Sequence, residues 1–190
     1  MKNLSFKEIS YDDIVEQEID LVQWYYKKFI EIYGSKLADT IGKKFVPKED
    51  KINFLQADST NYQGAMEVVD ELKYNDHKFV GIIIKEHIIG VARIVEEEDY
   101  VLIPEVVFSD DILGEEQNLL TMFLVNYVQK LYDIELYVET PYQNLELKNE
   151  LVFRGFKIHL RDEFQKRNID KTYLLSRKRR DYDEWDTNNK

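Results

Sequence analysis

The order of hydrophobic patterns in the middle of the chain most constrains its fold. Three apolar runs, separated by a short polar turn and then by an acidic turn, are typical of an antiparallel meander. A long helical pattern, a strand and a second helical pattern follow. A meander that leads into a strand–helix–strand crossover predicts a mixed α/β sheet with room for a ligand where two strands part. In chain order, these elements are predicted at residues 79–84, 88–95, 100–108, 115–132 and 134–139, with the last helix starting at Asn144.

The flanking segments predict further elements around this centre. A strand at 4–9 opens the chain, amphipathic helices are expected at 12–33, 36–43 and 59–72, and strands at 157–160 and 172–176 close it, joined by a polar loop at 161–171. The first helix carries an aromatic stripe at helical spacing, which predicts either core packing or the wall of a substrate pocket. The stripe consists of Trp24, Tyr25, Phe29 and Tyr33.

Length, composition and charge exclude several functional classes. The 190 residues favour one domain, expected over 1–178, with a charged and disordered tail at 179–190. Absence of cysteine excludes disulfides and thiol catalysis and fits a cytoplasmic protein. No apolar run is long enough to span a bilayer. A net charge of −11 opposes nucleic-acid binding, and the basic cluster 177–180 is interpreted as part of the solvated tail. The three histidines are isolated, so no metal site is expected.

From Leu4 to about Lys178 the chain resembles the GCN5-related N-acetyltransferases (GNAT). Asn144 followed eleven residues later by Gly155-Phe156 is the best local match, and the order of elements agrees over about nine-tenths of the chain. The resemblance implies an α+β fold with a mixed, mostly antiparallel sheet and helices on both faces. It also implies acetyl-CoA as co-substrate, a small-molecule or protein amine as acceptor, and a homodimer, although the sequence shows no interface.

The resemblance places the acyl-CoA against one strand and one helix start. Backbone groups of Val106, Val107 and Phe108 would pair with the pantetheine arm, as an added strand does. Asn144 would cap the last helix and contact the same arm. The pyrophosphate turn of the family corresponds to Gly114, Glu115, Glu116, Gln117 and Asn118. Gly114 is the only glycine there, and the two glutamates oppose a phosphate while suiting the first turn of any helix.

Catalytic candidates follow from the same comparison. Glu105 lies in an apolar strand, where burial raises the pKa of a carboxyl group, so it is a candidate base for an ammonium substrate; the alternative is a solvent-facing glutamate. Many members of the family have a tyrosine that acts as the general acid and protonates the leaving thiolate. Its position corresponds here to Leu151, which cannot donate a proton, and Tyr142 is the nearest substitute. Tyr137 and Glu139 share one strand face and are candidates to line the substrate side.

Two functional hypotheses remain. The first is direct acetyl transfer from acetyl-CoA to a primary amine within a ternary complex. The second is a non-catalytic module that kept the fold and lost acyl-CoA binding, which the single glycine and Leu151 favour. An acidic protein that binds a basic partner is a third idea, and it rests on the charge alone.

Overall fold

One continuous sheet organises the described part of the chain. The computed structural model describes residues 3–33, 59–74, 77–159 and 172–179. The predicted helix at 36–43, the loop at 161–171 and all but the first residue of the predicted tail lie outside these residues. The strands are β1 (Leu4–Ile9), β2 (Lys78–Ile84), β3 (His87–Glu96), β4 (Tyr100–Ile103), β5 (Val106–Phe108), β6 (Glu135–Pro141), β7 (Lys157–His159) and β8 (Thr172–Arg177). The helices are α1 (Tyr11–Glu16), α2 (Leu21–Tyr33), α3 (Ser59–Tyr74), α4 (Gly114–Leu131) and α5 (Leu145–Phe153).

The sheet order is β1-β2-β3-β4-β6-β8-β7, and β5 pairs with β3 beside this path. Only the β4–β6 pair is parallel among the described strands; the other pairs are antiparallel. The parallel pair exists because α4 carries the chain across one face between β5 and β6. The predicted mixed and mostly antiparallel sheet is therefore confirmed.

Helices cover both faces of the sheet, as expected. Residues such as Val80, Ala92 and Val138 pack with α4 and α5 on one face. On the opposite face, residues such as Phe79 and Val91 pack with α1, α2 and α3. Alternate residues of one strand join different clusters because side chains of a strand point to opposite faces in turn.

The third apolar run forms two strands instead of the single strand expected at 100–108. Pairing of β3 with β4 matches Val95 with Leu102, whereas pairing with β5 matches Ala92 with Val106. Three residues, from Ile103 onward, therefore oppose two residues of β3, which is a β-bulge. Pro104 lies in this bulge, where the lack of a backbone N–H does not interrupt the ladder.

The helix predicted at 12–33 is wrong as a single helix. Glu18 has φ 55°, its N–H donates to Val15, and the N–H of Ile19 donates to Ile14, which together form a Schellman ending for α1. The side chain of Asp20 then accepts from the N–H of Gln23 at 3.0 Å and starts α2. Since Glu18 replaces the usual glycine at the left-handed position, composition alone does not reveal this break.

Assignment of Arg177 to a solvated basic tail is also wrong. Arg177 ends β8 and is 1% exposed. Its guanidinium lies 4.4 Å above the ring of Phe156 and donates to the carbonyl of Arg154 at 2.8 Å. The side chain therefore ties β8 to the end of α5, where cation–π and hydrogen-bond contacts replace its hydration.

Candidate functional site

The sheet opens between β5 and β6. The last pair between β4 and β6 joins Ile103 with Val138. Beyond the bulge, β5 pairs with β3 and, among the described residues, with no other strand. On its far side, β6 continues to Pro141 in a ladder with β8. A V-shaped gap, here called the splay, therefore separates β5 from the second half of β6.

The register of β5 fixes which backbone groups face the splay. The N–H of Ser109 donates to Ile89 at 2.9 Å, so these two residues form a hydrogen-bonded pair. Because hydrogen-bonded and non-bonded pairs alternate in an antiparallel ladder, Val107 is bonded to β3, whereas Val106 and Phe108 turn their N–H and C=O groups toward the splay. The predicted backbone edge thus has its outward groups on either side of Val107.

A cleft of about 380 Å³ adjoins this edge. It lies between α2, β5 and the start of α4. Lys27 of α2 forms an ion pair with Asp110 of the β5–α4 loop, so the charges of these two lining residues balance, and Lys28 lines the same cleft. The lining residues are Trp24, Lys27, Lys28, Val106, Val107, Phe108, Ser109, Asp110, Ile112, Leu113, Gly114 and Gln117.

Helix α4 begins at the cleft without a side-chain cap. Leu113 is the N-cap residue and makes no capping hydrogen bond. A Cβ added to Gly114 would have no atom within 4 Å, so open space adjoins the helix start. Gln117 turns back, and its Nε2 donates to the carbonyl of Ile112 at 2.8 Å. Glu115 and Glu116 are exposed in the first turn, where they face the same partial positive charge that would attract a phosphate.

Asn118 and Asn144 join the starts of the two crossover helices. Asn144 caps α5: its Oδ1 accepts from the N–H of Leu147 at 3.0 Å. Its Nδ2 donates to Oδ1 of Asn118 at 2.7 Å, and Nδ2 of Asn118 donates to Glu146 at 3.0 Å. The capping role of Asn144 is confirmed, while its contact with a cofactor arm stays a prediction.

Glu105 lies in a polar cluster and not in the apolar surroundings expected from its neighbours in sequence. Nε and Nη2 of Arg93 donate to its two carboxylate oxygens, the second at 3.0 Å, and Oη of Tyr25 donates to Oε1 at 2.9 Å. Burial raises the pKa of Tyr25 well above its ordinary value, and the negative charge of Glu105 acts in the same direction. The expectation of an apolar environment is therefore wrong, because β3 and α2 supply a guanidinium and a phenol.

The two positions considered for a general acid have different environments. Leu151 lies on the inner face of α5 and is fully buried in the core. Tyr142 follows β6 and is half-buried, with its ring 4.5 Å from that of Tyr173 in an edge-on arrangement. Tyr137 and Glu139 do share one face of β6: Tyr137 contacts the rings of Tyr100 and His159, and Glu139 accepts from Thr172 at 3.3 Å.

Comparisons with known proteins give fold similarity without close sequence similarity. A scan against models of protein families finds no match, and a search of curated proteins finds none either. An uncharacterised protein from Bacillus halodurans is 14% identical, with a TM-score of 0.59 over 98% of this chain and 92% of that one. PaiA N-acetyltransferase from Thermoplasma acidophilum, in complex with coenzyme A, is 13% identical, with a TM-score of 0.50 over 93% and 99%. An acetyltransferase from Thermus thermophilus is 12% identical, with a TM-score of 0.51 over 92% and 96%.

The chain has the GNAT fold. Five of the nine predicted cofactor-binding residues line the cleft of this GNAT-like structure: Val106, Val107, Phe108, Gly114 and Gln117. The other four do not line it: Glu115 and Glu116 lie in the exposed first turn of α4, and Asn118 and Asn144 hydrogen-bond to each other.

Three polar residues of this GNAT-like site are not among those expected from the sequence: Arg93, Lys27 and Lys28. Arg93 is the single charged residue in the apolar run at 88–95, which was a usable signal. Lys27 and Lys28 follow the aromatic stripe on α2, but nothing local shows that they face a cleft. Trp24 and Tyr25 were expected to be core or pocket wall; both are buried in the core, and Trp24 also lines the cleft.

No helix within the described residues is long and apolar enough to cross a membrane.

Proposed function

We propose that this protein is an N-acetyltransferase that moves the acetyl group of acetyl-CoA to a primary amine in a ternary complex. The observation that carries the proposal is the splay, because its β5 edge presents outward backbone groups beside the uncapped start of α4. A pantetheine arm has the amide spacing to pair with such an edge. The complex of PaiA N-acetyltransferase with coenzyme A, in a protein of similar fold, supports the choice of ligand.

The fit of acyl-CoA differs along the cleft. Val106 and Phe108 offer N–H and C=O groups to the pantetheine arm, and their side chains hold the strand in the core. Near the α4 start, the charge of Lys27 is balanced by its ion pair with Asp110, and Glu115 and Glu116 oppose the pyrophosphate. The arm should therefore be bound better than the phosphates.

The proposed reaction is a direct acyl transfer. The neutral amine nitrogen attacks the thioester carbonyl carbon, the outward N–H groups of β5 stabilise the developing oxyanion, and the C–S bond breaks. The amine proton leaves through water to a carboxylate, for which Glu105 stays the candidate, acting from within its contacts with Arg93 and Tyr25. Solvent or Tyr142 protonates the leaving thiolate, since Leu151 has no proton to give.

Isothermal titration with CoA and acetyl-CoA tests the proposal, with two matched pairs of variants. Val106→Pro removes an N–H that faces the splay, whereas Val106→Ala shortens the same side chain and keeps that N–H. We expect Val106→Pro to lose about tenfold in affinity relative to Val106→Ala, the value of one lost hydrogen bond in a desolvated site. Equal affinities for these two variants would contradict pairing along β5.

Charge variants test the phosphate end. Neutralising Glu115 and Glu116 together should raise CoA affinity severalfold at low salt, and less at high salt, because repulsion near the pyrophosphate is removed. Neutralising Glu97 and Glu98, an equally exposed pair in the β3–β4 turn, should leave it within twofold.

A second function, a GNAT-fold module without catalysis, is favoured by the buried Leu151 and the acidic first turn of α4. If CoA does not bind at about millimolar concentration, which means a binding free energy weaker than about −4 kcal/mol, this second function is supported and the transferase is rejected.

A further inference from the structure

Thr140 carries a buried hydroxyl that the reaction described above does not use. The residue lies on β6 and is 0% exposed. Within the described parts of the chain, its Oγ1 has no hydrogen-bond partner. A buried hydroxyl without a partner costs free energy, because it has given up its bonds to water, and native proteins keep few such groups. A ligand that supplies the missing partner would explain why this one is kept.

Thr140 lies at the splay. Val138 is the last residue of β6 that pairs with β4, so Thr140 follows where β6, among the described strands, has no neighbour on its β5 side. A strand rises about 3.3 Å per residue, which places Thr140 roughly 7 Å from the closed end of the splay. On its other side, Thr140 pairs with Tyr173 of β8, and this ladder fixes its position.

Thr140 faces Val106 across the splay. Ile103 pairs with Val138 at the closed end. Thr140 lies two residues further along β6, and the bulge adds one residue on the β4–β5 side, so the residue level with it is Val106. The side chains of Val106 and Val138 both belong to the core under α4 and α5. Because side chains alternate along a strand, that of Thr140 lies on the same face as Val138. The hydroxyl of Thr140 and the outward N–H of Val106 therefore stand on opposite walls of the splay at one level.

The neighbours of Thr140 on β6 do not supply a donor on this face. The side chain of Glu139 lies on the opposite face of the strand. Pro141 has no N–H, and its carbonyl accepts from the N–H of Asn144 at 3.0 Å. On the α4 and α5 side of β6, the donor at the level of Val106 is therefore the hydroxyl of Thr140.

We propose that the hydroxyl of Thr140 donates a hydrogen bond to the thioester carbonyl oxygen of bound acetyl-CoA, opposite the N–H of Val106. This inference rests on the proposed transferase function. The uncapped start of α4, which would receive the pyrophosphate, follows β5 at the open end of the splay. An arm that runs inward from there along β5 passes Phe108 first and Val106 second. The thioester, at the far end of the arm, then lies between Val106 and Thr140.

The two donors stabilise the same oxygen during transfer. The amine nitrogen forms a bond to the carbonyl carbon, and the π electrons of the C=O bond move to the oxygen. Hydrogen bonds from Thr140 and Val106 stabilise this oxyanion. When the C=O bond forms again, the C–S bond breaks and its electron pair leaves with the thiolate. The amine proton leaves through water, and Thr140 keeps its own proton.

Isothermal titration of the full chain with two ligands of similar shape tests this inference. Acetyl-CoA has the thioester carbonyl oxygen, and S-ethyl-CoA is the corresponding thioether without it. Thr140→Val keeps the branched shape of the side chain and removes the donor. We expect this variant to lose at least about fivefold in affinity for acetyl-CoA, the value of one hydrogen bond from a hydroxyl already removed from water, and to keep its affinity for S-ethyl-CoA within about twofold. Thr140→Ser keeps the donor and should bind acetyl-CoA within about twofold of the unaltered protein.

Ser176→Ala is the matched control, because it removes a buried hydroxyl that has partners. Ser176 is 2% exposed, and its Oγ donates to Oε1 of Glu135 at 2.7 Å and lies 2.6 Å from Nε2 of His159. Ser176→Ala should lower the urea midpoint of unfolding and leave both affinities within about twofold. Thr140→Val should leave the midpoint unchanged or raise it, because no protein group loses a hydrogen bond.

The outcome is separable from that of the transferase proposal. Equal losses of affinity for the two ligands in Thr140→Val, or no loss for either, would overturn the inference even where both ligands bind the unaltered protein. A urea midpoint lowered as much by Thr140→Val as by Ser176→Ala would also overturn it, because the hydroxyl would then have a partner in the free protein, such as a buried water. If neither ligand binds the unaltered protein at about millimolar concentration, the transferase is rejected and this inference with it.

Discussion

Replacement of Gly90 by alanine should destabilise the protein through one defined collision. Gly90 of β3 pairs with Phe108 of β5. An added Cβ would lie 2.8 and 3.0 Å from two ring carbons of Phe108 and 3.1 Å from Cδ1 of Ile82. Both side chains belong to the buried core, so the ring has little space into which it can turn. Overpacking of this kind costs about 1–3 kcal/mol.

Gly114 supplies the matched control, since an added Cβ there would have no atom within 4 Å. Gly114→Ala at the first position of α4 should leave stability unchanged or raise it by about 0.4–1 kcal/mol, through a smaller loss of backbone entropy. Urea denaturation with an unchanged slope gives both free energies of unfolding. Values for Gly90→Ala and Gly114→Ala within about 0.5 kcal/mol of each other would contradict the collision.

A double-mutant cycle identifies the colliding partner. Phe108→Leu alone should destabilise by leaving part of a cavity. In the Gly90→Ala background, the smaller side chain should relieve the collision, giving a coupling of at least about 1 kcal/mol. Additive effects would show that the strain lies elsewhere. The same variants report on the site, because Phe108 lines the cleft and a displaced β5 should weaken CoA binding.

Three further outcomes are expected. The β2–β3 turn places Lys85 and Glu86 at φ 51° and 73°, so their replacement by Asn-Gly should raise the free energy of unfolding by about 1 kcal/mol in urea melts. Burial, and after it the charge of Glu105, raises the pKa of Tyr25 well above its ordinary value of 10.0. The stability that the protonated phenol provides is therefore complete below pH 10.0 and is lost as pH rises through the raised pKa. Denaturation followed from about pH 9 to about pH 11 should show this loss in the unaltered protein and not in Tyr25→Phe. Ser10 and Asp13 form a capping box at α1, and Ser10→Ala should cost about 0.5–2 kcal/mol by thermal or urea unfolding.

Strand and helix periodicity predicted most of the described fold, because the spacing of apolar residues shows which side of each element is buried. The strand at 4–9 and the helix starting at Ser59 agree with β1 and α3, and Asn144 is the cap that its position indicated. Breaks inside an element were harder to predict. Glu18 adopts a left-handed conformation without being glycine, so tertiary packing of Ile14 and Ile19 overrides its local preference.

The candidate site divides in the same way. The backbone edge around Val106 was expected from the resemblance to GNAT, and it does not depend on side-chain identity, because any residue except proline can supply its N–H and C=O groups. Side-chain partners could not be predicted, since Arg93 and Glu105 are brought together by the bulge and Tyr25 reaches them from a distant helix. Arg177 shows the converse case: a residue in a basic cluster is buried because an aromatic ring and a carbonyl replace its water.

Among the described strands, the three-residue strand β5 has one hydrogen-bonded neighbour, although it lies next to the middle of the sheet. Its amide of Val107 should therefore exchange with deuterium only when β5 detaches from β3, whereas those of Val106 and Phe108, which face the splay, should exchange much faster. A ligand that pairs with that edge gives β5 a second neighbour and slows all three amides together. Ligand binding would then complete the sheet, and local stability in the centre of the protein would depend on ligand concentration.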